Sequence, residues 1–346
     1  MRRILLLTAL ISSALVSCVR EPDCGPAEVS ACVITLTGLR AEASEVTKAS
    51  PEDSVKSIRV YVFNGNSLDG YDTATPDELA AGTVSVDCTR GLRDIWVVVN
   101  GPESLSSVTT RAGLKEAVSH LCEDNSSGAF VMVGRSEALT LGATFSGSIG
   151  VGRIVSRVRL FRIRRELKAE EFSIRRIYTT CVAGNACYDV FTPTFPSSRE
   201  YLMAPWGGNS AMIADEGFLY REFEPPVSLA DGESCGTDLT FYVYPNEYAG
   251  ADAPLSRDQT KLVVECIVDG RYYTYPVPLG RIGSNKSYDI NMLTITRLGN
   301  DSNGDDVVDP EEDVVISVAP ATFALSVNDW YEITRIGGAE DGNLTI

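Results

Sequence analysis

Apolar residues along this chain alternate with polar ones far more often than they recur at helical spacing. The stretch from Ile58 to Phe63 interleaves apolar and mixed residues and ends at Asn64-Gly65, a pair that favours a tight turn. Thr83 to Val86 alternates strictly, and Phe130 to Val133 is a further short run. Ile95 to Val99 is apolar on both faces, as expected of a central strand in a sandwich. Between these runs, Leu114, Ala117, Val118 and Leu121 recur at helical spacing, with Thr109 or Thr110 available as N-cap. That spacing predicts one short helix, with His120 in a solvent-facing position beside its apolar stripe.

The pattern restarts after Gly150. Ile154 to Ile163 is rich in β-formers but carries Arg153, Arg157, Arg159, Arg162 and Arg164 in and around it. Ile154, Val158 and Leu160 share one phase, and Phe161 and Ile163 take the other, which predicts a bulge. The arginines are expected to form a solvated sheet face, with a basic docking patch for an acidic partner as the alternative. Further strands are expected at Ser173–Thr180, Leu239–Tyr244, Lys261–Val268, Arg271–Val277, Tyr288–Thr296, Val314–Val318 and Thr322–Trp330, with Asp269-Gly270 as a two-residue hairpin turn. So many short strands, without strand–helix alternation, predict an all-β chain of two antiparallel β-sandwich domains divided near Ser146 to Gly150.

The beginning of the chain belongs to neither sandwich. Arg2 and Arg3 precede an apolar run that is too short to span a bilayer and ends in Leu15-Val16-Ser17-Cys18, which resembles a bacterial lipobox. Residues 1–17 are therefore expected to be a lipoprotein signal peptide. Cys18 is the expected lipidation site, carrying palmitate among its acyl chains, and residues 18–31 a tether. Loss of the leader would take two of the 30 Lys+Arg and leave 47 Asp+Glu, changing the net charge from −17 to −19. This acidity argues against a nucleic-acid partner, because phosphate neutralisation needs surplus Lys and Arg. The other eight of nine cysteines would lie in an oxidising compartment. Cys181 and Cys187 could close a hairpin there, or be buried thiols.

Catalytic signatures are few. His120 is the single histidine, so a multi-histidine zinc site cannot be built, and no phosphate loop or nucleophile elbow is visible. Asp301 to Glu312 places acidic or amide side chains at calcium-loop positions 1, 3, 5, 9 and 12, but Asp306 stands where that loop needs glycine. It is expected to be an acidic surface loop, and no metal or cofactor is expected. A non-catalytic alternative function is glycan binding by a lipid-anchored sandwich, using Trp96, Trp206, Trp330 and the Tyr272, Tyr273, Tyr275 cluster as stacking platforms. Trp206 is the preferred exposed candidate.

Several stretches, in order, resemble the fimbrillin superfamily of type V pilus lipoproteins. They are Ile58–Asn64, Trp96–Pro102 followed by the helix, Phe130–Gly134, Val151–Val158, Phe241–Asn246, and Lys261–Leu279 running into Asn285–Tyr288 and Leu293–Ile295. The resemblance implies two transthyretin-like domains, 32–148 and 149–346, in a fimbrium subunit with no enzymatic activity. It implies attachment to the outer membrane through Cys18, other pilus subunits as partners, and cell adhesion toward a host or bacterial surface ligand. It also implies assembly by donor-strand exchange: an Arg-specific protease removes the first strand, and a neighbour's strand takes its place. Cys32 to Leu36 alternates as that first strand should, and Arg40, followed by Ala-Glu-Ala-Ser, is the candidate cleavage site. Thr322–Trp330 or the tail near Leu344 would be the donor. The cysteine-rich stretch from Cys18 to Cys32 is closer to an anchor or accessory member, which keeps its first strand. For stacked subunits, the arginines of 153–176 and the acidic loop 301–313 are the expected complementary regions.

Overall fold

The computed structural model describes residues 29–37, 51–126, 128–192, 195–202, 219–246, 259–302, 326–329 and 343–345. The first half runs β1 (Val29–Thr37), a 3-10 turn (Pro51–Asp53), β2 (Ile58–Asn64), β3 (Ser67–Thr73), α1 (Pro76–Ala81), β4 (Thr83–Thr89), β5 (Gly91–Val99), α2 (Arg111–Glu116), β6 (Val118–His120), α3 (Leu121–Asp124), β7 (Met132–Leu141), β8 (Thr144–Gly150) and β9 (Gly152–Arg153). The second half continues with β10 (Ser156–Arg165), β11 (Phe172–Thr180), β12 (Val182–Ala183), β13 (Asn185–Cys187), β14 (Tyr201–Leu202), β15 (Tyr220–Ser228), β16 (Ser234–Val243), β17 (Lys261–Val268), β18 (Arg271–Pro278), β19 (Lys286–Ile290), β20 (Met292–Ile295), β21 (Asn300–Ser302), β22 (Ser326–Asp329) and β23 (Asn343–Thr345). The chain is all-β, built of stacked, mostly antiparallel sheets.

Two sheets make the first sandwich. Sheet I has the order β4-β1-β8, and sheet II the order β3-β2-β5-β7-β9. Cys32 and Ile34 of β1, Val84 and Val86 of β4, and Ile149 of β8 pack against Ile58, Val60, Val62, Ile95, Val97 and Val99 of sheet II. The other face of sheet II presents Tyr61, Phe63, Trp96, Val98 and Val133 to a second core shared with Leu114, Leu121 and the second half of the chain. β2 and β5 are therefore covered on both sides, which accounts for their nearly unbroken apolar runs.

In the second half, β10 is the centre of sheet III. It pairs antiparallel with β16 along one edge and parallel with β19 and then β20 along the other. Sheet IV has the order β15-β11-β17-β18-β21 and meets sheet III through Val158, Leu160, Ile163, Ile174, Ile177, Leu262 and Val264. The predicted bulge is present between Leu160 and Arg162. The predicted two-residue turn sets Val268 opposite Arg271, with positive φ at both Asp269 and Gly270, as a type I′ hairpin requires.

The helix expectation needs correction. Thr110 does cap α2, accepting from the Gly113 amide at 3.0 Å, but the helix stops at Glu116. Val118–His120 is a strand paired with β13, and His120 sits half-buried on that strand rather than on a helix. The apolar spacing is that of a helix, but the chain extends to place Ser119 at the fully buried Tyr244 hydroxyl, 2.7 Å away. With α1 and α3 there are three short helices among the described residues where one was expected. α1 carries a readable capping box: Glu78 accepts from the Thr75 amide at 2.9 Å, while Thr75 Oγ1 accepts from the Glu78 amide at 3.3 Å. The expected strand Tyr288–Thr296 is two strands, broken at Asn291.

Gly134 marks where β7 passes under β8 and β9. A Cβ there would strike the Gly150 carbonyl oxygen and lie 2.8 Å from Ile149 Cγ2 and 2.9 Å from Val151 Cγ1, whereas a Cβ at Gly236 meets open space. Gly134→Ala is expected to destabilise the fold by about 1–3 kcal/mol, as overpacking does. Gly236→Ala should change stability little; urea unfolding of the two variants checks both outcomes.

Candidate functional site: the first strand and the arginine seam

β1 is the middle strand of its sheet. It pairs antiparallel with β4, Cys32 facing Val86 and Ile34 facing Val84, and parallel with β8, where Cys32 faces Phe145 and Ile34 faces Gly147. The alternation read from the sequence is realised: Cys32 and Ile34 are fully buried, while Val33 and Thr35 are partly exposed. Burial, with a smaller contribution from nearby Cys88, pushes the Cys32 thiol up to about 12. Removing β1 would open the apolar interior between β4 and β8, floored by β2 and β5.

Behind this sandwich the arginines overturn the expectation of a solvated face. Arg153 is fully buried and donates from Nε and Nη2 to the Glu52 carbonyl at 3.2 and 3.1 Å, with an ion pair to Asp53. Arg157 Nη1 lies 2.8 Å from Glu52 Oε2, its Nε donates to Ser287 Oγ at 2.9 Å, and the Tyr242 hydroxyl donates to Glu52 Oε1 at 2.7 Å. Arg159 Nε donates to Asp289 Oδ1 at 2.8 Å, and Arg176 and Glu265, each 1% exposed, pair at 2.7 Å. Arg164 pairs with Glu166 at 3.2 Å, which leaves Arg162 as the exposed member of the run. Guanidinium groups tolerate such sites because a planar fork can satisfy several acceptors at once.

These contacts shift protonation. Burial lowers the Arg157 value and is opposed by Glu52, whereas the hydrogen bond to Asp289 raises that of Arg159. Burial alone would raise the Asp289 carboxyl, but hydrogen bonds from Arg159 and Ser287 hold it below its ordinary value. Apart from Glu166, the seam draws its carboxylates from segments 89 to 130 residues away in the chain, so no local pattern could have announced it.

Other sequence expectations fall as follows. Cys181 and Cys187 are buried thiols; β12 pairs with β14 and β13 with β6, so no hairpin joins them. Trp96 is fully buried under Lys115 and Arg135, each 5.5 Å from its ring, and is no stacking platform. Tyr273 and Tyr275 are core residues, and Tyr272 lies under Arg175 at 5.3 Å. His120 Nδ1 stands 3.6 Å from Glu200 Oε2 at the surface. Strands in both expected donor segments join sheet III: β22 pairs antiparallel with β19, and β23 parallel with β20. Asp301 belongs to β21; the rest of the acidic loop beyond Ser302, together with Cys18, Arg40, Trp206 and Trp330, lies outside the described residues.

The sequence of the first sandwich and the fold of most of the chain are each similar to proteins already characterised. Residues 29–156 match the model of the family described as major fimbrial subunit protein (FimA), a match that begins at β1. A fimbrilin from Porphyromonas gingivalis W83 superposes with a TM-score of 0.55 at 16% identity, covering 82% of this chain and 94% of that one. A protein from Bacteroides eggerthii assigned to cell adhesion gives 0.57 at 15% identity, with coverages of 88% and 97%. At such identities the structural likeness is one of fold. No curated protein matches the sequence. The resemblance to the fimbrillin superfamily thus holds in sequence over the first sandwich and in fold over most of the chain.

The depressed Asp289 value implies a pH dependence. Its contribution to stability is fully present above the unfolded carboxylate value of about 3.9 and is lost as pH falls through the lower folded value. Asp289→Asn is expected to cost about 1–3 kcal/mol at pH 7, as for removal of one partner from a buried hydrogen-bonded pair. The difference from wild type should shrink toward pH 3, as measured by denaturant unfolding at both pH values.

Proposed function

We propose that the chain is a structural subunit of a cell-surface pilus, exported as a lipoprotein acylated on Cys18 and assembled by donor-strand exchange. The observation that carries this reading is the place of β1 as a middle strand paired on both edges. Cleavage after Arg40 separates β1 from the rest of the chain, and its departure leaves a slot with a hydrogen-bonding edge on each side and apolar pockets in its floor. Such a slot suits a strand from a neighbouring subunit, bound through main-chain hydrogen bonds and alternate side chains. The proposed organisation is a signal peptide at 1–17, a tether at 18–31 and two domains at 32–148 and 149–346. The family match over residues 29–156 supports the pilus reading. Other subunits of the fibre are the partners, the outer membrane is the site of anchoring through Cys18 until cleavage, and the fibre serves adhesion.

N-terminal sequencing of surface-extracted protein tests the cleavage. A start at Ala41 is expected, and a start at Cys18 alone would overturn it. Arg40→Ala should leave β1 in place and abolish filaments labelled by an antibody to this chain under electron microscopy. Unchanged filaments in that variant would sink the donor-strand mechanism.

A further inference from the structure

Pro51–Asp53 is the first described segment after β1, and the second half of the molecule grips it. Glu52 is held at three atoms: its carbonyl oxygen by Arg153, Oε1 by Tyr242 and Oε2 by Arg157. Asp53 is held by Arg153 as well. The gripping side chains are themselves rooted in sheet III and its approach. The Arg153 amide donates to Asn285 Oδ1 at 3.2 Å, Arg157 Nε donates to Ser287, and Tyr242 lies on β16. Between this grip and β2, Asn100 fastens the lead-in by accepting from the Lys56 and Ser57 amides at 2.7 and 3.3 Å and donating to the Ser54 carbonyl at 2.8 Å. β2 also loses packing when β1 goes, because Ile58, Val60 and Val62 share a core with Cys32 and Ile34.

We propose that Arg153, Arg157 and Tyr242 form the stop at which strand release ends. This rests on the reading that β1 leaves. The grip fixes the new end of the chain to the second half, so that loss of β1 does not fray β2 from its N-terminal end. In the intact chain β1 covers β2 and the grip is redundant; in the cleaved chain it becomes decisive.

The test uses the full chain, wild type and Glu52→Gln, before and after digestion with an Arg-specific protease. Hydrogen exchange is read by mass spectrometry on peptides spanning residues 54–64. Wild type should be equally protected before and after release of the fragment ending at Arg40. Cleaved Glu52→Gln should exchange about tenfold faster or more, the effect of losing one charged hydrogen bond, while the uncleaved variant resembles wild type. If the fragment leaves and the cleaved variant is as protected as cleaved wild type, the stop is refuted and strand release stands. Equal loss of protection in the uncleaved variant refutes it too, by making the grip a general support of the fold. A fragment that stays bound to wild type overturns strand release and the stop together. Should Glu52→Gln fail to fold, Tyr242→Phe, which removes a single hydroxyl, takes its place, with the same comparison and a smaller acceleration expected.

Discussion

From Ala31 to Thr35, β1 has a paired strand on each side, and the slot this creates has a defined width. Neighbouring strands lie about 4.8 Å apart, so loss of β1 would leave β4 and β8 roughly 9–10 Å from each other. They cannot pair directly across that gap without collapsing the sandwich, and a helix or loop cannot satisfy both rows of amides and carbonyls. Another strand can. Because β1 runs antiparallel to β4 and parallel to β8, those two edges are antiparallel to each other. A replacement strand entering from either end therefore makes one parallel and one antiparallel ladder. Hydrogen bonding does not select its polarity; the pockets vacated by Cys32 and Ile34 must do so.

The arginine seam alters how the charge of this protein is understood. A net charge of −17 already implies a repulsive surface. With Arg153, Arg157, Arg165 and Arg176 inside the fold, that surface is more acidic than composition suggests. The expected complementarity between the arginines of 153–176 and the loop 301–313 of a stacked neighbour loses its basis, since most of those guanidinium groups are held within their own subunit. Charge would then act against any association between copies, with salt relieving the repulsion.

The architecture was legible where local pattern and environment agree. Strict alternation at Thr83–Val86, the two-sided apolar run Ile95–Val99, the Asp269-Gly270 turn and the phase slip near Phe161 each report a backbone geometry that the side chains alone determine. It was illegible where a distant partner decides. Val118–His120 has helical spacing but is drawn into a strand by β13, and β8 is too rich in Gly and Ser to look like a strand, though β1 pairs with it. The arginines look solvated because the carboxylates that neutralise them, Glu52, Asp53 and Asp289, come from remote segments. At the candidate site the alternation of Cys32 to Leu36 identified the strand itself, but the double pairing that makes it a middle strand depends on β4 and β8, both distant in sequence.

The floor of the slot would keep the molecule folded if β1 were exchanged. Sheet II is apolar on both faces, and only one of them depends on β1. Tyr61, Phe63, Trp96 and Val98 remain packed in the second core whether or not the slot is filled. Each buried Val or Ile on the slot side is worth about 1.5–3 kcal/mol relative to exposure, so an empty slot is strongly disfavoured but does not take the second core with it. The two cores thus divide the work. One holds the body of β2 and β5 through Tyr61, Phe63, Trp96 and Val98, while the other supplies the free-energy difference that would make an open slot seek a strand.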